Sequence, residues 1–134
     1  MPLRQNTFLR QERLKSRKVI SGLFKGAHSF SAYPIRPVWC VLEKPTPFPI
    51  QITLTVPKKV FPHAVDRNRI RRQMREAFRL QKNNFYSALA AKSDTRHYGI
   101  ILIYTAKEAL PYADIEAGVK KMIKKFLAWE EEKS

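Results

Sequence analysis

The stretch IQITLTVPKKVFPHAVDRNRIRRQMREAFR, residues 50–79, contains a strand pattern, a turn and a helix pattern in direct succession. Apolar and polar residues alternate over residues 50–56, which predicts a half-buried strand with Ile50, Ile52, Leu54 and Val56 on its inward face. After a proline-flanked turn, the apolar spacing predicts a long helix over about residues 63–84 that ends near Asn83 and Asn84. One or two further helical turns through residues 85–92 remain an open alternative.

Downstream of this stretch, two more elements are predicted. The run YGIILIYT, residues 98–105, is apolar throughout and is typical of a strand that is buried on both faces at the centre of a sheet. A C-terminal amphipathic helix over about residues 114–131 follows, because its apolar residues recur every three or four positions. These residues are Ile115, Val119, Met122, Ile123, Phe126 and Leu127.

Upstream, residues 33–42 are rich in aromatic and β-branched side chains, but Pro34 and Pro37 favour an edge strand over a central one. Ser16 is typical of a helix N-cap, and the residues after it predict a short amphipathic helix over about residues 17–25. Residues 1–15 are basic and polar, which indicates a flexible leader that orders on meeting a partner. Residues 132–134 are a short tail.

This order of elements predicts one α+β domain over residues 1–134, with helices packed on a small sheet as a two-layer sandwich. A helix lies between the strand at residues 50–56 and the strand at residues 98–105, and such a connection can join parallel neighbours. The sheet is therefore expected to be mixed. The default handedness of that crossover is right-handed.

The composition is strongly basic. Twenty-six Lys and Arg stand against eleven Asp and Glu, which gives a formal net charge of +15 and a pI near 10.3. So large an excess favours a nucleic-acid partner, since a polyanion would relieve the self-repulsion. No apolar run approaches the roughly 18 residues needed to span a membrane, so we expect no membrane partner and a cytoplasmic location.

Little in the chain indicates catalysis or metal binding by side chains. Cys40 is the only cysteine, so no internal disulfide is possible, and its apolar surroundings favour a buried filler. His28, His63 and His97 lack metal-ligand spacing. The acidic residues Glu43, Asp66, Glu76 and Asp94 are dispersed, which disfavours a metal-dependent nuclease.

The predicted long helix separates into two faces. At about 100° per residue, one arc carries Ile70, Met74, Ala77, Phe78 and Gln81, which would dock the helix. A broad opposite arc carries Asn68, Arg71, Arg72, Arg75 and Arg79, and Lys58 and Lys59 extend it from the preceding turn. Arg67 lies near the edge of the apolar arc, where it could anchor the helix start as well as touch a ligand.

Most runs of charged residues on a helix form a solvent-exposed face, but such a face usually contains both positive and negative residues. Here like charges stand at i,i+4 spacing in Arg67, Arg71, Arg75 and Arg79, and each such pair destabilises an isolated helix. Asp66 could cap the helix or complement its dipole, and Glu76 could pair with Arg72. The guanidinium fork binds phosphate bidentately, so the pattern favours a helix that binds RNA or DNA.

The segment VPKKVFPHAVDRNRIRRQMREAFR resembles the signature of the bacterial ribonuclease P protein subunit, and the similarity begins at RLKSRKVISGLFKG near the N-terminus. The family motif runs Arg-Asn-Arg, any residue, Lys-Arg, two residues, Arg. It is matched here by Arg67, Asn68, Arg69, Arg72 and Arg75, with Arg71 in place of the lysine. Arg79 continues the same surface.

The resemblance implies a fold related to the second domain of ribosomal protein S5, of order αβββαβα and with a left-handed βαβ crossover that replaces the default handedness. It also implies that catalysis belongs to an RNA subunit, with magnesium held mainly by that RNA. The protein would bind the RNA subunit and precursor tRNA during removal of the 5′ leader, with no small-molecule substrate.

The resemblance further implies a central cleft for the single-stranded leader, formed by the first helix and one face of the sheet. The residues that match it are Phe24, Lys25, Tyr33, Lys58 and Lys59. Aromatic and lysine side chains suit a single strand, because bases stack and phosphates need cations. From the residues alone, Phe24 is equally a core residue of its helix, and a structural RNA-binding domain like a ribosomal protein remains the alternative function.

Overall fold

The computed structural model describes residues 28–42, 50–91 and 97–133, which form a four-stranded sheet and two helices. Three strands come first: β1 (His28–Ser29), β2 (Ile35–Leu42) and β3 (Ile50–Thr55). Helix α1 (Ala64–Ala91), strand β4 (His97–Tyr104) and helix α2 (Tyr112–Lys133) follow. The α+β class is confirmed, while the predicted helix at 17–25 and the leader at 1–15 lie outside the described residues.

The sheet has the order β1-β2-β4-β3. Strand β4 pairs antiparallel with β2 and parallel with β3, so the expectations of a mixed sheet and a central position for this strand are confirmed. The parallel pair is joined through α1. The left-handed sense of this crossover and the likeness to ribosomal protein S5 stay predictions from the family resemblance.

The prediction that β2 is an edge strand is wrong. It pairs with β4 from Ile35 to Leu42, and on its other side Val38 and Trp39 pair with β1. Pro34 precedes the strand, and Pro37 lies outside the two-residue pairing with β1. Neither proline therefore stands in the short ladder with β1, and β2 can lie inside the sheet.

Both helices pack on one face of the sheet, and the core lies between them and that face. The sheet contributes alternate residues that the register places side by side, namely Ile35 and Trp39, Ile50 and Ile52, and Tyr98, Ile100, Leu102 and Tyr104. Phe126 of α2 lies at the centre, where its ring makes edge-on contacts with Trp39, Phe85 and Tyr98. The predicted inward face of β3 is confirmed, although Leu54 is only half-buried.

Helix α1 continues past the predicted end near Asn84, and the alternative of further helical turns through residues 85–92 is the one the structure confirms. Ile70, Met74, Ala77 and Phe78 are buried as expected, but the helix runs through Asn83 and Asn84 to Ala91. The apolar stripe continues at Phe85 and Leu89, and their burial outweighs the weak helix propensity of the asparagines. Gln81 is half-buried, whereas Lys82 on the same stripe is buried, which the sequence did not indicate. Asp66 lies in the first turn and complements the dipole there.

Helix α2 begins two residues before its predicted start and continues to Lys133. Its residue Gly118 lies against the turn that precedes β2. A β-carbon at this position would lie 2.7 Å from Cδ of Pro34 and 3.2 Å from the carbonyl oxygen of Ala32. The absence of a side chain at Gly118 therefore allows α2 to approach this turn closely.

Candidate nucleic-acid interface

One end of the sheet brings three of the predicted cleft residues close to the start of the arginine-rich helix. Because β3 runs parallel to β4 and β2 runs antiparallel to it, the last residues of β3 and β4 and the first residue of β2 lie at the same end. Helix α1 starts there as well, after the turn that follows β3. Tyr33, Lys58 and Lys59 therefore flank the start of α1 at a common end of the molecule.

The turn before α1 has a defined backbone. The amides of Val60 and Phe61 both donate to the carbonyl oxygen of Pro57, at 3.3 Å and 3.0 Å. The Phe61 side chain is buried, and its ring lies 5.8 Å from the ring of Tyr104 between centroids. Lys58 and Lys59 are exposed. Hydrogen bonds therefore hold the backbone of the turn while its two lysine side chains face solvent.

The side chain of Arg67 bonds back to the backbone of this turn. Its Nη1 donates to the carbonyl oxygens of Phe61 and Pro62, each at 2.9 Å, and its backbone amide donates to the carbonyl of His63. The sequence grouped Arg67 with the residues that bind RNA and also indicated that it could anchor the helix start. The structure gives it the anchoring contacts.

The other basic residues of this half of α1 form a surface that we call the arginine face, made of Asn68, Arg69, Arg71, Arg72, Arg75 and Arg79. Asn68, Arg69 and Arg72 are exposed, and the remaining three are half-buried. Nη2 of Arg71 donates to Oδ1 of Asn68 at 2.5 Å, which orients both side chains on the surface. The arrangement offers guanidinium forks on one side of the helix, suited to an array of phosphates.

Glu76 is the acidic residue beside this face, and its predicted pairing with Arg72 is wrong. Its carboxylate binds Arg79 instead, with Oε1 2.5 Å from Nη2 and Oε2 2.9 Å from Nε. The hydrogen bond from Arg79 lowers the pKa of Glu76. Spacing alone allowed either partner, because residues three and four apart are both neighbours on a helix.

Tyr33 stands on a tightly bonded turn at the start of β2. Its side chain is 59% exposed, although its neighbours Ala32 and Ile35 are buried. The backbones of Ala32 and Ile35 exchange two hydrogen bonds of 2.9 Å, and the amide of Thr105 donates to the carbonyl of Pro34 at 2.8 Å. A rigid turn therefore presents an exposed aromatic ring. Phe24 and Lys25, the other predicted cleft residues, lie outside the described residues.

The sheet face opposite the helices carries an exposed cation that sequence reasoning missed. Arg36 of β2 points away from the core, and its Nη2 donates to Oγ of Ser29 at 3.4 Å. The alternation of buried and exposed residues in β2 could have identified it. Cys40 lies on the same face and is half-buried rather than buried, and burial raises the pKa of its thiol.

Two other classes of site find no support among the described residues. Within residues 28–42, 50–91 and 97–133, no three His, Cys, Asp or Glu side chains come together as metal ligands would. In the same part of the chain, neither helix combines the length and the apolar character required to cross a bilayer.

Comparison with known proteins agrees with this geometry. The family model described as Ribonuclease P matches residues 8–127. The ribonuclease P protein component of Chlorobaculum tepidum is 35% identical over 136 residues, covering 93% of this chain and 86% of the relative. That of Porphyromonas gingivalis is 30% identical, covering 85% and 82%.

Among solved structures, the chain resembles the RNase P protein from Thermotoga maritima with a TM-score of 0.64. The match covers 85% of this chain and 96% of that protein at 19% identity, so it supports the fold. The family model and the curated relatives carry the assignment further, since each spans more than two thirds of the chain. The chain is a member of the ribonuclease P protein family.

Proposed function

We propose that this chain is the protein subunit of a ribonuclease P ribonucleoprotein and binds the catalytic RNA subunit through the arginine face. Family membership implies a role in an endoribonuclease complex that processes tRNA. The observation that supports the arginine face as the RNA contact is its strong positive charge, since it carries five arginines and the only acidic residues of α1 are Asp66 and Glu76. Such a surface binds an array of phosphates well and an uncharged protein partner poorly.

The end of the sheet supports a second contact, with the 5′ leader of precursor tRNA. The exposed ring of Tyr33 would serve as a stacking platform, and Lys58 and Lys59 would neutralise backbone phosphates. Stacking of one base on an aromatic ring contributes about 1–3 kcal/mol. Phe24 and Lys25 belong to this proposal through the family resemblance.

In this proposal the chemistry is carried out by the RNA, with magnesium held mainly by the RNA as well. The protein's part in this proposal is to bind and to orient the RNAs. Its cations reduce the electrostatic repulsion between the leader and the RNA subunit, and they thereby lower the magnesium concentration needed for activity. Because bacterial tRNA is transcribed and processed in the cytoplasm, the proposed location is cytoplasmic.

The test is reconstitution with a ribonuclease P RNA transcript and a precursor tRNA. The protein alone should leave the precursor intact, whereas the RNA with protein should cleave it at a magnesium concentration where the RNA alone is inactive. A magnesium requirement that does not change when protein is added would contradict the proposal. Recovery of ribosomal RNA rather than one structured RNA of a few hundred nucleotides with the purified protein would favour a ribosomal-protein-like binder.

A further inference from the structure

Arg67 differs from Arg69 and Arg72 of α1 in what its side chain contacts. Arg69 and Arg72 are exposed, but the Arg67 guanidinium donates from Nη1 to two successive backbone carbonyls, those of Phe61 and Pro62. Both carbonyls precede the helix and lie in the turn that carries Lys58 and Lys59. A charged donor that serves two carbonyls forms a stronger link than a neutral side chain would.

The turn has few other tertiary links among the described residues. Phe61 anchors its end by packing against Tyr104, and the amides of Val60 and Phe61 return to Pro57 within the turn itself. These contacts define the shape of the turn. The Arg67 contacts join it to the first turns of α1, and so they set the position of the two lysines relative to the arginine face.

We infer that Arg67 is a positioning residue that holds the Lys58 and Lys59 turn against the start of α1, so that both lysines and the arginine face meet RNA as one surface. This inference rests on the proposed function. It removes Arg67 from the residues that contact RNA directly and assigns its effect on binding to the two lysines. Pre-organisation of this kind raises affinity because the turn need not be ordered on binding.

The experiment is a double-mutant cycle on binding of the protein to a ribonuclease P RNA transcript in complex with a precursor tRNA, so that both the RNA subunit and the 5′ leader are present. Arg67→Ala is combined with the double substitution Lys58→Ala and Lys59→Ala, and Arg72→Ala, five positions along the same helix, is the matched control. In the native background we expect Arg67→Ala to weaken binding on the order of tenfold, a loss typical of one charge-assisted contact. In the background without the lysines, the same substitution should lower the affinity by less than about twofold, because the effects of residues that act through each other are not additive.

The control should behave differently. Arg72→Ala is expected to weaken binding by the same factor in both backgrounds, since Arg72 is exposed and would contact RNA by itself. Amide hydrogen exchange provides a second readout. The amides of Val60 and Phe61 should exchange faster in Arg67→Ala than in the native protein and should be unchanged in Arg72→Ala.

Arg67→Ala could also unfold the helix start, so each variant is checked by circular dichroism, and binding is measured well below its melting temperature. Arg67→Lys is a second variant that keeps the charge but replaces the planar fork by a point donor. Its loss of binding, too, should vanish when Lys58 and Lys59 are absent.

Equal losses for Arg67→Ala in the two backgrounds would overturn the inference and return Arg67 to the RNA contacts, while leaving the proposed function intact. If neither Arg72→Ala nor the lysine pair affected RNA binding, the proposed function itself would be wrong, and the inference with it.

Discussion

At the scale of single residues, the arginines of α1 differ in the contacts that they make. Arg67 bonds to backbone carbonyls, Arg71 bonds to Asn68, and Arg79 is held by Glu76. A guanidinium that is already bonded must exchange that partner for a phosphate, whereas an exposed one such as Arg72 exchanges only water. We therefore expect the arginines of α1 to contribute unequally to RNA binding.

Glu76→Gln should tighten binding to a ribonuclease P RNA transcript. The carboxylate competes with phosphate for Arg79, and exposed ion pairs of this kind correspond to a change of about 1.5- to 5-fold in affinity. Since Arg79 lowers the pKa of Glu76 from its ordinary value of 4.5, the pair stabilises the fold above that pH and loses this effect as the pH falls through the lowered pKa. The Gln variant should lack that part of the acid dependence.

Glu116→Gln is the control for this measurement. Glu116 also lies on a helix beside a cation, with Oε1 3.6 Å from Nζ of Lys120, but it is outside the arginine face. Its replacement should alter RNA affinity much less. Equal effects of the two substitutions would mean that only net charge matters.

Gly118→Ala tests the close approach of α2 to the turn that presents Tyr33. Helix propensity alone would stabilise the protein by about 1 kcal/mol. The new β-carbon would meet the rigid ring of Pro34 and the backbone of Ala32, and overpacking of this kind costs about 1–3 kcal/mol. We expect a lower free energy of unfolding in urea, with Ala117→Ser, an exposed neighbour, within about 0.5 kcal/mol of the native protein. A stabilised Gly118→Ala would contradict the close packing.

At the scale of elements, the length of α1 follows from packing more than from its local sequence. Asn83 and Asn84 are poor helix formers, yet Phe85 and Leu89 lie on the buried stripe beyond them. The rings of Phe78 and Phe126 both make edge-on contacts with Phe85. The last two turns of α1 are therefore part of the core.

Phe85→Ala should lower the free energy of unfolding by about 3–5 kcal/mol, the usual cost of truncating a buried phenylalanine. Ser87→Ala, exposed on the same two turns, should change it by less than about 0.5 kcal/mol. Chemical denaturation of both variants provides the measurement. A small effect at Phe85 would mean that these turns contribute little to stability.

At the scale of the whole molecule, the positive charge is unevenly distributed along the chain. Residues 1–91 contain 18 Lys and Arg against 4 Asp and Glu, whereas residues 92–134 contain 8 against 7. Helix α2 is balanced, with five basic and five acidic residues. Most of the basic excess therefore lies in residues 1–27, in the turn after β3 and in α1, and α2 serves mainly to cover the sheet.

The salt dependence of RNA binding should reflect this asymmetry. The double substitution Arg69→Ala and Arg72→Ala should reduce the slope of log K against log salt by about two units, one for each phosphate that the protein no longer neutralises. Lys121→Ala with Lys124→Ala removes two exposed charges from α2 and should change the slope by less than about half a unit. An equal change in slope for the two double variants would show that the position of the charges on the protein does not matter.

The local sequence patterns were sufficient to predict the type and approximate bounds of most of the described elements. Alternation in residues 50–56 and the apolar run at 98–105 predicted β3 and β4 to within a residue at each end, and the periodicities predicted both described helices. The edge position of β2 was predicted wrongly, and the end of α1 was predicted near Asn84 with the correct continuation only as an alternative. In both cases a local signal, proline or asparagine, was overridden by contacts with segments distant in sequence.

By itself, the sequence determined the class of fold, the docking face of α1 and the basic excess that favours a polyanion, because periodicity and charge are properties of neighbouring residues. Only the tertiary structure decided that Tyr33, Lys58 and Lys59 share one end of the sheet, that Glu76 binds Arg79, and that Arg67 bonds to the turn. These facts depend on strand order and on side-chain rotamers. Strand order arises when segments far apart in the chain pack together. The contacts of Glu76 and Arg67 are with residues nearby in the chain, but spacing allows more than one partner, and the packed structure selects among them.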